Sequence, residues 1–490
     1  MKKIATLLCS ALLMAASLCS ALAEQTAPKY VFMFIGDGMG NPQVTASQYF
    51  KGSIENPDAE FPVPADLSFT KFPYLGMMTT YDSSSFCPDS ASTATSMASG
   101  EKTLSGVINY DVTLTHPFKL ITEYAKDAGY KVGVVSSVSL DHATPAAYYA
   151  KQPSRNDYYD IAVQAVTGTT VDYLAGGGFK KPTGADKANP QPDVMDLAAE
   201  NGWTIPASNE EIRSMTADSG RVLAINPVLQ DSKSIHYEID RKRLSAQGED
   251  VLSLADFVKT GINVLDNDNG FFMMCEGGKI DWSCHANDAA TSIHETLALS
   301  DAVQVAVDFA TEHPDETLII VTADHETGGM TIGFATTAYD THFAYLTNQT
   351  VSFTDFDETI AKLREKGASF EDALAEIKTC YGLTTEADQD LTLTEAELSS
   401  LKAAFELSMT PVDERKIGAE EEFLYGGYEP LSMAVSHIIN NKAGLSYTSY
   451  AHTGLQIPVY ATGAGAEAFS GLYDNTDIFN RTMEVMNLHK

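Results

Sequence analysis

The sequence predicts an α/β protein, with a mostly parallel central sheet sandwiched between helices. Three observations carry this. Short apolar runs recur along the chain, helical patterns separate many of them, and acidic and histidine residues gather where the runs end. Continuous apolar runs of strand length read as strands buried on both faces. Strands alternating with helices are the pattern of a parallel sheet. Such sheets bind ligands beyond the carboxyl ends of their strands.

The elements follow in chain order. Lys2 and Lys3 precede a short apolar stretch from Ile4 to Leu18, and Ala21-Leu22-Ala23 fits a small-x-small cleavage site. Residues 1–23 are therefore expected to be a signal peptide, with the mature chain near Glu24 bound for the periplasm or the medium. No later stretch is long and apolar enough for a membrane anchor. Strands are predicted at Tyr30–Ile35, Lys131–Ser136, Val171–Ala175, Val222–Ile225, Phe271–Cys275, Leu318–Thr322 and Pro458–Thr462. Helical patterns span Pro117–Ala128 and Ser292–Thr311.

Residues 335–450 change character, being rich in Glu, Asp, Thr and Tyr, with helical segments at Thr354–Lys366, Phe370–Cys380 and Thr394–Glu406. Thr394 and Glu397 form a capping box. We expect a core over 24–334, an insertion over 335–450, and completion of the core over 451–490. Asp388 and Asp390 suggest a calcium loop, but Leu393 and Ser399 stand where that loop needs Gly and Glu.

The net charge of −34 excludes nucleic acid as a partner, because phosphate backbones need basic patches. It also means that any site for an anionic substrate must carry local positive charge, from an arginine or bound metal ions. Cys87, Cys275, Cys284 and Cys380 are too few for a disulfide scaffold, and their spacing is not that of a zinc ribbon.

Chemistry is concentrated at the predicted strand ends. The first strand runs into Gly36-Asp37-Gly38-Met39-Gly40. The fifth runs into Glu276-Gly277-Gly278, then Asp281 and His285, a pair that shares one face of a helix at i, i+4. The sixth ends in Ala323-Asp324-His325, and His452 precedes the last predicted strand. Taken singly, each fits a blander role: a solvent-facing turn aspartate, a surface ion pair, a structural histidine. Together they form a set of Asp and His donors suited to catalytic zinc, with carboxylates and a hydroxyl suited to magnesium. Asp89-Ser90 opens a segment closed by Gly100. Either residue could be a simple helix N-cap, and a serine at that positive helix end is also a candidate nucleophile. Arg155 follows Ala143-Thr144-Pro145, and a guanidinium can clamp two phosphoryl oxygens.

These motifs resemble the alkaline phosphatase family: Ile35–Gly40, Asp89-Ser90-Ala91, Ala143–Ala147 with Arg155, Glu276 with Asp281 and His285, Thr322–His325, and His452-Thr453-Gly454. The resemblance covers about residues 30–334 and 450–480. It implies hydrolysis of phosphate monoesters through a phosphoserine on Ser90, with Arg155 holding the phosphate. It implies one zinc on Asp281, His285 and His452, a second on Asp37, Asp324 and His325, and magnesium on Asp37, Thr144 and Glu276. It also implies a homodimer and a crown-like insertion at 335–450. Two positions depart from some bacterial members, which carry Asp where His142 stands and Lys where Trp282 stands. An imidazole beside the third site favours zinc over magnesium there, and Trp282 brings no charge to the substrate site beside Asp89. A phosphodiesterase of the same superfamily and a non-catalytic metal- or phosphate-binding protein are the alternatives. A sulfatase is excluded because Cys87-Pro88-Asp89-Ser90 lacks the Cys-x-Pro-x-Arg spacing.

Overall fold

Ten strands form one sheet in a computed structural model that describes residues 27–185 and 187–490. The expected signal peptide lies outside the described residues. The strands are β1 (Tyr30–Ile35), β2 (Tyr74–Thr79), β3 (Lys131–Ser136), β4 (Tyr173–Gly176), β5 (Trp203–Thr204), β6 (Arg221–Ile225), β7 (Phe271–Glu276) and β8 (Thr317–Thr322). After β8 come two-residue strands, β9 (Glu326–Thr327), β10 (Thr331–Ile332), β11 (Leu445–Ser446) and β12 (His452–Thr453), which pair as ribbons outside the main sheet. β13 (Ile457–Gly463) and β14 (Gly471–Asp474) complete the sheet, whose order is β14-β2-β13-β8-β1-β7-β3-β4-β6-β5.

All seven predicted strands are present in this sheet. β1, β7 and β8 are buried along their whole length, which is why they read as unbroken apolar runs. All main-sheet pairings are parallel except those of β13, which runs antiparallel to both β2 and β8. The register sets the site. Ile35 lies level with both Glu276 and Thr322, and Ser136 lies level with Glu276. Four strands therefore end in one row and deliver their following loops to one edge. Because β13 runs backwards, it enters the sheet from that same edge, and His452 lies just ahead of it.

Helices flank the sheet. The longest, Ala289–Glu312, packs against Leu254–Leu265 and Asn41–Glu55. A second apolar cluster unites the helices Phe353–Lys366, Phe370–Tyr381, Glu395–Met409 and Pro430–Ala443. Phe50, Ala290 and Ile293 of the core helices join that cluster, so the segment is fused to the core. The capping box forms as read: Glu397 N donates to Thr394 Oγ1 at 3.2 Å, and Thr394 N donates to Glu397 Oε2 at 2.8 Å. No helix among the described residues is long and apolar enough to cross a membrane. The four described cysteines are unbridged, with Cys87 exposed and the other three buried.

Candidate active site

Ser90 is the first residue of the helix Ser90–Ser99. Asp89 is its N-cap, accepting from Ser92 N at 3.1 Å. Gly100 ends the helix in the left-handed region at φ 77°, where Phe479 leaves no room for a Cβ. Ser90 is buried, and its Oγ lies 3.2 Å from His325 Nε2. The hydroxyl thus sits at the positive end of a helix and faces the donors from the other strand ends.

Asp37 follows β1, and Asp324 and His325 follow β8. His325 Nε2 lies 3.3 Å from Asp37 Oδ1 and 3.2 Å from Asp324 Oδ2. Asp324 is held from three segments: Gly38 N of the loop after β1 and His325 N of its own turn donate to Oδ1 at 3.3 and 3.0 Å, and Thr93 Oγ1 of the Ser90 helix donates to Oδ2 at 3.2 Å. Gly38 has φ 74°, and a Cβ there would meet the Thr327 hydroxyl, so this close turn requires glycine.

The helix Lys279–His285 presents Asp281 and His285 together. His285 Nε2 is 3.3 Å from Asp281 Oδ1 and 3.0 Å from His452 Nε2. Both rings are aimed from behind, because His285 Nδ1 meets Tyr450 O at 2.6 Å and His452 Nδ1 meets Pro88 O at 2.5 Å. Such back-bonding fixes the tautomer and turns Nε2 toward a ligand. Among the described residues, donor atoms lie within 4.8 Å of one another in two groups, Asp281 with His325 and His452, and Asp37 with Asp324 and His325. His325 belongs to both, and its ring stacks on His452 with centroids 3.6 Å apart. His285 joins the first group through its contacts with His452 and Asp281.

Thr144 Oγ1 donates to Asp37 Oδ2 at 3.3 Å. Glu276 accepts a short hydrogen bond from Ser136. Asp37 Oδ1 and Glu276 Oε1 are buried without a hydrogen-bond partner. Burial pushes Glu276 up to about 8. Burial, with the neighbouring charge of Asp281, pushes Asp324 up to about 6. Asp37 rises well above the carboxylate range for the same reasons, with Asp324 as its strongest neighbour. Asp281 goes the other way: burial would raise it, but the charge and hydrogen bond of His285 hold it well below. Buried acids with orphaned oxygens, interleaved with back-bonded imidazoles, fit divalent cations.

Arg155 NH1 donates to Asp89 Oδ2 at 2.8 Å, so the guanidinium is tied to the residue before Ser90. His142 is the N-cap of the short helix Ala143–Ala146, and its ring packs edge-on against Trp282 with centroids 5.5 Å apart. Burial, helped by the charges of Arg155 and Lys180, pushes the His142 imidazole down to about 3. Its Nδ1 is buried without a hydrogen-bond partner.

Every candidate catalytic and metal-binding residue named from the sequence therefore lies at one edge of the sheet. Sequence reasoning missed the groups that brace them. Thr327 Oγ1 donates to Asp281 Oδ1 at 2.5 Å and lies 3.2 Å from His325 Nδ1. Glu326 accepts from Gln43 Nε2, Gly329 N and Met330 N at 2.8 to 3.2 Å, and from Thr453 Oγ1. It thereby locks β9 to β12. Glu326 could have been found by its place directly after His325, whereas Thr327 carries no signal of its own.

The alkaline phosphatase family profile matches residues 28–488. The chain belongs to the alkaline phosphatase family. Alkaline phosphatase 4 of Bacillus subtilis is 30% identical over 94% of this chain and 89% of that protein. The cold-active alkaline phosphatase from a psychrophilic Shewanella superposes with a TM-score of 0.75 at 26% identity, covering 93% of this chain and 99% of the other. A histidine-to-aspartate mutant of TAB5 alkaline phosphatase, described with Mg bound in its M3 site, superposes with a TM-score of 0.62 at 24% identity, covering 95% and 100%. As an alkaline phosphatase the protein is an enzyme, a hydrolase of phosphate esters.

Proposed function

We propose that this alkaline phosphatase hydrolyses phosphate monoesters through a phosphoserine on Ser90, with two zinc ions and one magnesium ion. The observation that carries the reading is the Ser90 Oγ at a helix N-terminus, 3.2 Å from His325 Nε2 and ringed by buried acids and imidazoles. Asp281, His285 and His452 would hold one zinc. Asp37, Asp324 and His325 would hold the second. Asp37, Thr144 and Glu276 would hold magnesium. The buried carboxylates of Asp37 and Glu276 with the Thr144 hydroxyl support magnesium there, while a neutral His142 two residues before Thr144 admits zinc as the alternative. When bound, such ions supply Lewis acidity to the oxygens of an in-line displacement.

The chain's own groups do the rest. Ser90 Oγ loses its proton to water as it bonds to phosphorus, and the ester oxygen departs and regains a proton as the alcohol. Water then cleaves the Ser90 phosphoester, releasing phosphate and restoring the hydroxyl. Arg155, held in place by Asp89, pairs with two phosphoryl oxygens. The N-terminal amides of Ser90–Ser99 favour the negative charge. Trp282 stands beside His142 without a charge to retain phosphate, which favours fast product release.

Export to the periplasm or medium belongs to this reading, on the strength of the leader at 1–23. So does a homodimer, supported by the exposed apolar side chains of Leu75 and Leu472 at the β14 edge. We assign 335–450 as the crown-like insertion, between the core at 24–334 and its completion at 451–490.

The test is hydrolysis of nitrophenyl phosphate. Ser90→Ala should lose at least about 10³-fold in kcat, as expected when a nucleophile is removed. Acid quenching of the wild type should trap phosphoserine. A chelator should abolish turnover, and zinc plus magnesium should restore it. Full turnover by Ser90→Ala with no trapped phosphoserine overturns the reading.

A further inference from the structure

One lysine lies fully buried directly behind the site. Lys279 has no solvent exposure, although burying an ammonium is costly unless it is paired and hydrogen-bonded. Its Nζ lies within reach of Gln230 Oε1 at 3.0 Å, Asp231 Oδ1 at 3.1 Å, Ser234 Oγ at 2.9 Å and Ile235 O at 2.8 Å. The Tyr237 ring covers it, with its centroid 3.4 Å away. Lys279 opens the helix that carries Asp281, Trp282 and His285.

The contacts continue outward. Gln230 Oε1 also accepts from Tyr237 N at 2.8 Å, and Gln230 Nε2 donates to Asp240 Oδ2 at 2.9 Å and Asp355 Oδ1 at 2.8 Å. These partners fix the orientation of the amide. Asp240 in turn accepts from Ser352 N and Oγ at 3.1 and 2.6 Å, and Asp355 is further held by Arg243. Ser352 caps the helix Phe353–Lys366, which contains Asp355. A continuous polar chain therefore runs from the ligand-bearing helix to the inserted segment.

We propose that Lys279 is a positioning residue, and that the chain Lys279–Gln230–Asp355 makes the geometry of Asp281 and His285 depend on the inserted helices. This rests on the reading that Asp281 and His285 bind zinc. An apolar residue of similar length would fill the space but could not hold Gln230, so the helix would gain freedom at its first turn and the donors would lose their fixed separation.

The test is a double-mutant cycle in zinc affinity. Zinc would be titrated into metal-stripped wild type, Lys279→Met, Asp355→Ala and the double variant, in competition with a chromophoric chelator. Thermal midpoints would be recorded at saturating zinc. Lys279→Met should weaken zinc about 10-fold or more, the range for outer partners of metal ligands. Asp355→Ala, far milder for folding, should weaken it severalfold, and the double variant should lose less than the product of the two. Affinity unchanged within about twofold in the foldable variants, even with lower midpoints, refutes the proposal, as does strict multiplicativity. If His285→Ala leaves wild-type zinc affinity intact, the metal-site reading fails instead.

Discussion

At the scale of single residues, the candidate ligands were legible and the groups that brace them were not. Asp37, Glu276, Asp324 and His325 stand out only as a set, because acidic and imidazole groups recur at the ends of successive apolar runs, although each alone fits a blander role. Thr327 gives no such signal, since hydroxyl residues are common everywhere. Yet its Oγ1 is the donor that orders Asp281 and stands behind His325. Thr327→Val keeps the shape and removes that bond. We expect about a 10- to 100-fold loss of zinc affinity with the fold intact, read by titrating zinc into metal-free protein. Unchanged affinity would make Thr327 a space-filler. His142 and Trp282 likewise pack edge-on against each other, a contact that their sequence positions do not disclose.

At the scale of elements, what could be read was what lies buried on both faces. The central strands have a single-valued environment and therefore a clear pattern. β2, with Leu75 and other side chains reaching solvent, and β14, largely exposed, lack that pattern and escaped notice. β5 has two residues and no periodicity to find. The antiparallel course of β13 was also hidden, because direction is decided by which edge the chain re-enters after the inserted helices. Three of those helices were read nearly to their ends through caps and 3.6-residue periodicity, whereas Ala419–Tyr425 and Pro430–Ala443 were missed. One of them carries a pH response. Burial pushes Asp357, in Phe353–Lys366, up to about 7 from its usual 3.8. Between those values the folded chain keeps a proton that the unfolded chain has released. Stability from this group therefore falls as pH rises through that window. Asp357→Asn should flatten the decline in thermal midpoint between about pH 4.5 and 7.5 relative to wild type. Parallel curves would place the titration elsewhere.

For the whole molecule, the net charge of −34 opposes the approach of an anionic ester, while Arg155 and the donor ring attract it only at close range. Salt screens the distant field more than the local one, since the Debye length is about 10 Å at 0.1 M. Raising ionic strength from about 0.01 to 0.15 M should therefore increase kcat/KM for a small monoester severalfold. A decrease would show that the local positive field reaches past the rim. Composition discloses this charge directly, but its consequence required the donors and Arg155 to be placed together at one sheet edge.

The short ribbon of β9 with β12 bears on how the protein comes to life. Thr453 and Glu326, which it joins, are 127 residues apart in sequence. Closing so long a loop costs about 4 kcal/mol of chain entropy before any contact repays it. The inserted helices, rich in local contacts, can form early and shorten the gap, whereas this pairing must wait for them. His452 reaches the other donors only when the ribbon zips. A chain in which that ribbon is unpaired therefore lacks the complete donor set, and recovery of activity is expected to mark the end of folding rather than its beginning.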